Sequence, residues 1–450
     1  MRKACRVGVI GAGPSGLVTT KTLAGAGLDV TCLEMSSGIG GHWLYDNPNG
    51  RSSAYRSLQT NTTPSMSRLS DYEMPPDGPD FASHEQIHAW FDAYIDRFGF
   101  RDRILHERRV TAARPLPAGG WEVEARRGER ETEVHRLDAL VACTGSYWSP
   151  RIPSVPGDFD GVQLHAQGYR DPDNPVPTAG QRVIVVGLGN TACEIASELG
   201  SSHAEAVFLS SRGGTWIMPK TRNGEAIARN VPMTSPFDEP PTWVRMVPSR
   251  WRQSLFARMA KARMSQMFGE QQRRLQAAGL PEPPEHPLEK RPTVCDPILD
   301  ALESGRVEAR PQIERFDGRR VVFVDGSSTE ADLVVWGTGY RLTYPYLPKE
   351  LLAPGDENPD MFLGTMHPER HDLFLVGVGR PTGAFWPSAE VQAQFVAALL
   401  SGAYALPKAR TLRRRIAPML PKLAYNPALF ALSMREELRR GARRARRQKG

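Results

Sequence analysis

Two glycine-rich turns in one chain of 450 residues restrict its fold more than any other feature: Gly11-Ala-Gly13-Pro14-Ser15-Gly16 near the start, and Gly187-Leu-Gly189-Asn190-Thr191-Ala192 in the middle. Val7-Gly-Val-Ile10 enters the first turn, Leu17 to Ala26 follows as a helix stopped by Gly27, and Val30-Thr-Cys-Leu33 then runs into Glu34. Strand, turn, helix, strand and acid in this order make a dinucleotide site. The first glycine permits the turn, the second lets a pyrophosphate reach the backbone, and the third lets helix and strand touch. The pyrophosphate rests on free N–H groups at the helix start, where the helix dipole favours an anion. Glu34 is placed to accept hydrogen bonds from a ribose diol and disfavours a 2′-phosphate, which leaves FAD or NAD as the ligand. Gly40-Gly41-His42-Trp43 follows closely and suits a loop laid against that cofactor.

The second turn is entered from Arg182-Val-Ile-Val-Val and followed by a helix over 191–199. After the next strand, Val207-Phe-Leu209, this site carries Ser210-Ser211-Arg212 where the first has an acid. An arginine with hydroxyls beside it suits a 2′-phosphate, so NADPH is expected here. Two further apolar runs end in Thr-Gly, Val141-Ala-Cys-Thr144-Gly145 and Val334-Val-Trp-Gly-Thr338-Gly339, and they read as paired returns closing the first domain on either side of an insertion. The expected fold is α/β, with two Rossmann-like dinucleotide-binding domains and the NADPH domain inserted into a discontinuous FAD domain. The FAD domain is assigned 1–150 and 337–410, the NADPH domain 151–336 with an insert at 219–297, and a basic tail 411–450. Two nucleotide sites in one chain imply an enzyme passing electrons between two cofactors.

Composition excludes several classes. The five cysteines lie far apart, without CxxC or metal-ligand spacing, so neither a zinc site nor a dithiol redox centre is expected. A disulfide reductase, which shares the two-site plan, is set aside for the same reason. No apolar leader precedes Val7 and no run is long enough to span a bilayer, so a cytoplasmic enzyme is expected. The net charge of +7 is concentrated at one end: residues 408–450 hold 14 Lys and Arg against two acids, leaving 43 basic and 48 acidic residues elsewhere. A nucleic-acid enzyme would carry its positive field across the fold, so no nucleic-acid partner is expected.

Between the turns lies Phe159-Asp-Gly161-Val-Gln-Leu-His165-Ala-Gln-Gly-Tyr169, of the form FxGxxxHxxxY. With this element, Tyr55-Arg-Ser-Leu-Gln-Thr60-Asn61, Leu209-Ser-Ser-Arg-Gly-Gly-Thr-Trp216 and Ala389-Glu-Val-Gln-Ala393, the chain resembles the flavin-containing monooxygenase family, the class B flavoprotein monooxygenases, over roughly residues 5–402. The resemblance implies that the Asn61 amide steadies an oxygenated flavin and contacts the nicotinamide nucleotide. It implies that Thr60 and Thr62 flank the two cofactors and that His42 and Trp43 lie along the flavin. It also places Thr144 against the flavin nucleotide, and Thr191, Ala192, Cys193 and Glu194 along the NADPH phosphate turn. Phe159, Gly161, His165 and Tyr169 are taken as a structural, coupling element rather than as acid–base catalysts.

The chemistry implied by the resemblance is hydride transfer from NADPH to FAD, addition of O2 to give a C4a-hydroperoxyflavin, and attack on it by a soft nucleophile, an amine nitrogen or a sulfide sulfur. The cofactor carries the hard step, so no nucleophile–base constellation is needed. Baeyer–Villiger oxygenation of a ketone is the nearest alternative; Tyr169 stands where those enzymes usually carry Trp. Substrate-free NADPH oxidase activity is a second alternative, and a non-enzymatic flavin-binding protein a third. The partners are a small-molecule substrate and O2, and a homo-oligomer is left open. The insert, with a helix expected within 243–268 and a loop at 281–287, is expected to shape substrate access. The tail, with its short apolar patch Leu429-Phe-Ala-Leu432, reads as a solvated, partly disordered segment, with membrane-surface contact as the competing reading.

Overall fold

Short apolar runs alternating with glycine turns have to become buried parallel strands, because no polar face is available to set towards water. The computed structural model describes residues 5–128, 131–231, 233–352, 359–418 and 423–449. The first four residues, on which the absence of a leader was argued, and residues 419–422 and 450 of the basic tail lie outside the described residues.

Arg6–Ile10 (β1), Pro14–Gly25 (α1) and Asp29–Leu33 (β2) form the first βαβ unit, with Val7 opposite Val30 and Ile10 opposite Leu33 in parallel register. Helix His84–Phe98 (α2) opens with a Ser83/Gln86 capping box and ends on Gly99 in the left-handed region. Its Ile87, Phe91 and Ile95 enter the core around β1. Ile104–Leu105 (β3) flanks β2. An antiparallel meander, Arg108–Pro115 (β4), Trp121–Arg127 (β5) and Glu131–Leu137 (β6), leads to Ala139–Ala142 (β7) on the other side of β1.

The second sheet follows: Val162–His165 (β8), Arg182–Val186 (β9), helix Asn190–Leu199 (α3) and Ala206–Ser210 (β10). The insert contributes the long helix Ser249–Ala277 (α4), after which Pro297–Glu303 (α5), Glu308–Arg310 (β11) and Leu333–Trp336 (β12) complete the unit. The chain then returns to the first sheet as Leu373–Leu375 (β13), and helix Phe385–Leu400 (α6) packs along α1. The strand orders are β13-β7-β1-β2-β3 and β11-β10-β9-β12-β8, each parallel throughout. The second sheet is therefore inserted between β7 and β13 of the first.

Two expectations are corrected. The Val334 run does not return to the first sheet: β12 pairs with β9 and β8, and the strand that closes the first sheet is β13. Nor is the tail a solvated segment. Pro427–Lys449 forms a helix (α7) against α6 and α4, with Ala428, Leu429, Ala431 and Met434 buried. Glu437, 1% exposed, receives hydrogen bonds from Arg415, Arg444 (2.6 Å) and the Tyr404 hydroxyl (3.0 Å). Burial alone would raise this carboxyl, but the bonds from Arg444 and Arg415 hold it below its ordinary value. No helix among the described residues is long and apolar enough to cross a membrane.

Candidate active site

The two βα turns open onto one cavity of about 1470 Å3, well above the roughly 300–1,000 Å3 of an ordinary small-molecule site. At the first turn Gly16 is fixed by packing, since a Cβ there would stand 1.8 Å from the Gly11 carbonyl oxygen. Gly13 is different: a Cβ there meets nothing nearer than the Gly41 Cα at 3.7 Å, and it borders the cavity with Gly11, Pro14 and Ser15. Helix α1 starts with proline, has no side-chain cap and no acid in its first turn, which leaves its N–H groups for an anion. Glu34 is buried and lines the cavity, and its two oxygens accept from Ala12 N–H (2.6 Å) and Ser36 N–H (2.7 Å). Burial raises its carboxyl above the usual range while those N–H groups work against the rise. Gly41, His42, Trp43 and Thr144 continue the wall. The Trp43 indole nitrogen is buried without a partner, and burial lowers His42 to about 4, so its ring is neutral. These donors and the uncapped helix fit FAD. Gly13→Leu should accordingly give a folded but colourless protein, checked by flavin absorbance beside circular dichroism. Full flavin occupancy would move the pyrophosphate elsewhere.

Asn61 sits on a loop held rigid from within. The Thr60 hydroxyl accepts from Ala82 N–H (3.1 Å) and donates to the Thr62 carbonyl (2.9 Å), while the Thr62 hydroxyl bonds Ser67 (2.9 Å). Both threonine hydroxyls are thus engaged in fixing the loop. The Asn61 amide oxygen, by contrast, is buried with no partner, on the wall of the same cavity.

At the second turn, Gly189, Asn190, Thr191, Ala192 and Glu194 face the cavity. Helix α3, like α1, has no side-chain cap and no acid in its first turn. Gly337, just after β12, makes room for Ala192: a Cβ on Gly337 would lie 2.7 Å from the Ala192 methyl. A glycine supplied from elsewhere in the chain thus compensates for alanine at the turn's last position. Gly187 lies behind the turn, its N–H donating to the Ser210 carbonyl (2.8 Å). Cys193 is a correction. It is 0% exposed in the core between α3 and the second sheet, because it occupies the helix face opposite the cavity. Ser211 and Arg212 follow β10 beside this turn but outside the cavity wall; the Ser211 hydroxyl is buried without a partner, and Arg212 is exposed with no ion pair to a described residue. A hydroxyl and an uncommitted guanidinium at a strand end fit a 2′-phosphate. Arg212→Ala should weaken NADPH binding by about 2 kcal/mol, the scale of a charged hydrogen bond, with NADH little changed. An unaltered NADPH/NADH ratio in binding assays would remove Arg212 from this role.

The FxGxxxHxxxY element runs through β8, and its residues bond to α3 and to the chain just after β12. His165 Nδ1 accepts from Gln167 N–H (3.1 Å), which leaves Nε2 to donate to the Gly339 carbonyl (3.0 Å). Burial lowers its pKa, so both ring nitrogens are engaged and the ring is neutral. The Tyr169 hydroxyl donates to Glu198 of α3 (2.7 Å), and the Phe159 ring meets Phe316 at a tilt of 38° with centroids 5.0 Å apart.

Two features escaped the sequence reading. The Tyr55 hydroxyl donates to Glu194, whose other oxygen lies 3.5 Å from Lys220 Nζ, so the loop leading to Asn61 is bonded directly to α3. The Thr-Gly returns lead to Tyr147 and Tyr340, whose rings meet edge-to-face at 5.6 Å on the cavity wall. The repeated Thr-Gly followed by tyrosine was the available signal, but only the fold brings the two rings together. The helix expected in the insert is present as α4, and it supplies a third wall through Phe256, Met259, Ala260, Met264 and Met267.

Sequence and structure comparisons agree with this geometry. Residues 4–428 match the family described as flavin-binding monooxygenase-like. Dimethylaniline monooxygenase 2 (N-oxide-forming) of Macaca mulatta is 30% identical over 420 residues, covering 90% of this chain and 75% of its own. S-allyl-L-cysteine S-oxygenase of Allium sativum has a similar fold, with a TM-score of 0.68 at 21% identity over 97% of this chain and 89% of its own. OTEMO, solved in complex with FAD and NADP, gives 0.70 at 17% identity over 98% and 99%.

Proposed function

The chain belongs to the flavin-binding monooxygenase-like family and is an FAD- and NADPH-dependent monooxygenase, and from that premise we propose that it oxygenates a soft nucleophile, an amine nitrogen or a sulfide sulfur. When bound, NADPH supplies a hydride and the flavin uses it to activate O2. The residues of this chain hold, orient and exclude. The start of α1 with Glu34 would hold FAD, and the start of α3 with Ser211 and Arg212 would hold NADPH. The Asn61 amide, on a loop fixed by Thr60 and Thr62, would donate a hydrogen bond from its nitrogen to the reacting oxygen.

One observation carries the choice of substrate class. Among the described residues, the only carboxylates on the cavity wall are Glu34 and Glu194, both already bonded, and its only histidines, His42 and His165, are held neutral by burial. Such a wall offers no base tuned to neutral pH: burial makes His42 a weak base, and both ring nitrogens of His165 are already engaged. An amine or thioether needs none, because it attacks through its own lone pair. The apolar face of α4 suits a substrate with a hydrocarbon body. The test is a screen of tertiary amines, alkyl aryl sulfides and cyclic ketones for stimulated consumption of NADPH and O2 with product identification. Amine or sulfide oxides support the reading. Esters from ketones alone would replace it with Baeyer–Villiger chemistry, and peroxide alone with an NADPH oxidase.

A further inference from the structure

Methionine is concentrated around this cavity. At least seven of the chain's 14 methionines line it. Three stand on α4, where Phe256, Ala260, Met264 and Met267 recur at the spacing of one helix face and Met259 forms the outer lip. Two more, Met66 and Met233, come from the loop after Asn61 and from the insert. Methionine often fills irregular gaps in a core, but such a role puts the sulfur among packed neighbours. Here Met264 and Met267 are only half-buried: Met264 packs on one side against the cluster of Ala257, Leu288 and Ala424, and both also border open space shared with Asn61 and both glycine turns. Met246 offers a contrast: it is 75% exposed on the outer surface and absent from the cavity wall.

A thioether is the functional group that the proposed reaction oxygenates. We propose that Met264 and Met267 are internal acceptors of the enzyme's own oxygen, converted to sulfoxides when no external substrate occupies the cavity; the proposal rests on the monooxygenase reading above. The reaction balances as NADPH, a proton, O2 and a thioether going to NADP+, water and a sulfoxide. The sulfur gives a lone pair to one oxygen atom as the O–O bond breaks, and the other oxygen leaves as water carrying the hydride-derived hydrogen and the proton. A sulfoxide is polar and chiral where the thioether was apolar and flexible. Oxidised α4 would therefore present a polar face to hydrocarbon substrates, and activity would fall with idle turnover until a sulfoxide reductase restored the thioether.

The FAD-loaded enzyme should be turned over with NADPH in air without substrate, with catalase present to destroy free peroxide, and its peptides weighed at intervals. Met264 and Met267 should gain one oxygen severalfold faster than Met246, only with NADPH, and an added alkyl aryl sulfide should slow the gain. Equal oxidation of Met246, or protection of all three by catalase, would assign the damage to free peroxide and overturn the proposal. So would steady O2 consumption with Met264 and Met267 unchanged. Absence of NADPH-driven O2 consumption would instead remove the monooxygenase reading on which the proposal stands.

Discussion

Asn61→Leu is expected to load FAD and accept hydride from NADPH normally while sending nearly all of its consumed O2 to hydrogen peroxide. The loop that carries the side chain is fixed by Thr60, Thr62, Ala82 and Ser67 rather than by its own amide. The substitution should therefore spare folding and cofactor binding. What it removes is the one amide on this loop with a buried, unpartnered oxygen facing the cavity. Loss of a single hydrogen-bond donor at a developing charge, here the amide nitrogen, costs about 2.7–4 kcal/mol, or 10²–10³ in rate. The measurement is the ratio of oxygenated product to peroxide per NADPH consumed. A ratio equal to the parent's would place Asn61 outside the reaction.

Deleting residues 411–450 is expected to abolish soluble, flavin-loaded protein, the reverse of what the basic composition of the tail suggests. Leu412, Leu429, Leu432 and Met434 are all buried, at 6%, 2%, 8% and 2% exposure. Burying each such side chain contributes about 1.5–3 kcal/mol, so the four together approach the 5–15 kcal/mol by which a domain is typically stable. Their removal would also uncover α6. Soluble yield and thermal unfolding of the truncated chain test this; an unchanged melting temperature would make α7 dispensable. Glu437→Gln is the finer probe, because it leaves Arg415 and Arg444 facing a neutral group in a buried site, a loss of about 3–5 kcal/mol. The carboxyl is held below its ordinary value of 4.5, so its contribution is fully present above that pH. It is lost as the pH falls through the lowered value, and parent and variant should converge in acid.

The first βαβ unit was legible because everything that defines it is local: turn, helix start and Glu34 lie within thirty residues of one another. Strand partnership was not. Leu333–Trp336 and Leu373–Leu375 are both fully buried apolar runs, and nothing in such a run states which sheet receives it. Cys193 was misplaced because a turn motif gives the order of residues but not which face of the following helix meets the ligand. The tail was misread through its average: fourteen basic residues hid an apolar stripe and one buried acid that organises three of them. The bond from Tyr55 to Glu194 was invisible for a different reason, since it joins a loop to a helix 139 residues away.

The interrupted first sheet also sets a timetable for synthesis. β1 and α1 emerge from the ribosome before the second sheet, yet β13, which extends their sheet beside β7, α6, which packs on α1, and α7, which packs on α6, emerge after it. The second sheet draws all its strands from one unbroken stretch, residues 162–336, and can close while the remainder is still untranslated. The half that emerges first is thus the half that finishes second. A nascent chain paused before Leu373 would carry a completed nucleotide-binding unit beside an uncovered apolar helix, the kind of surface that recruits chaperones.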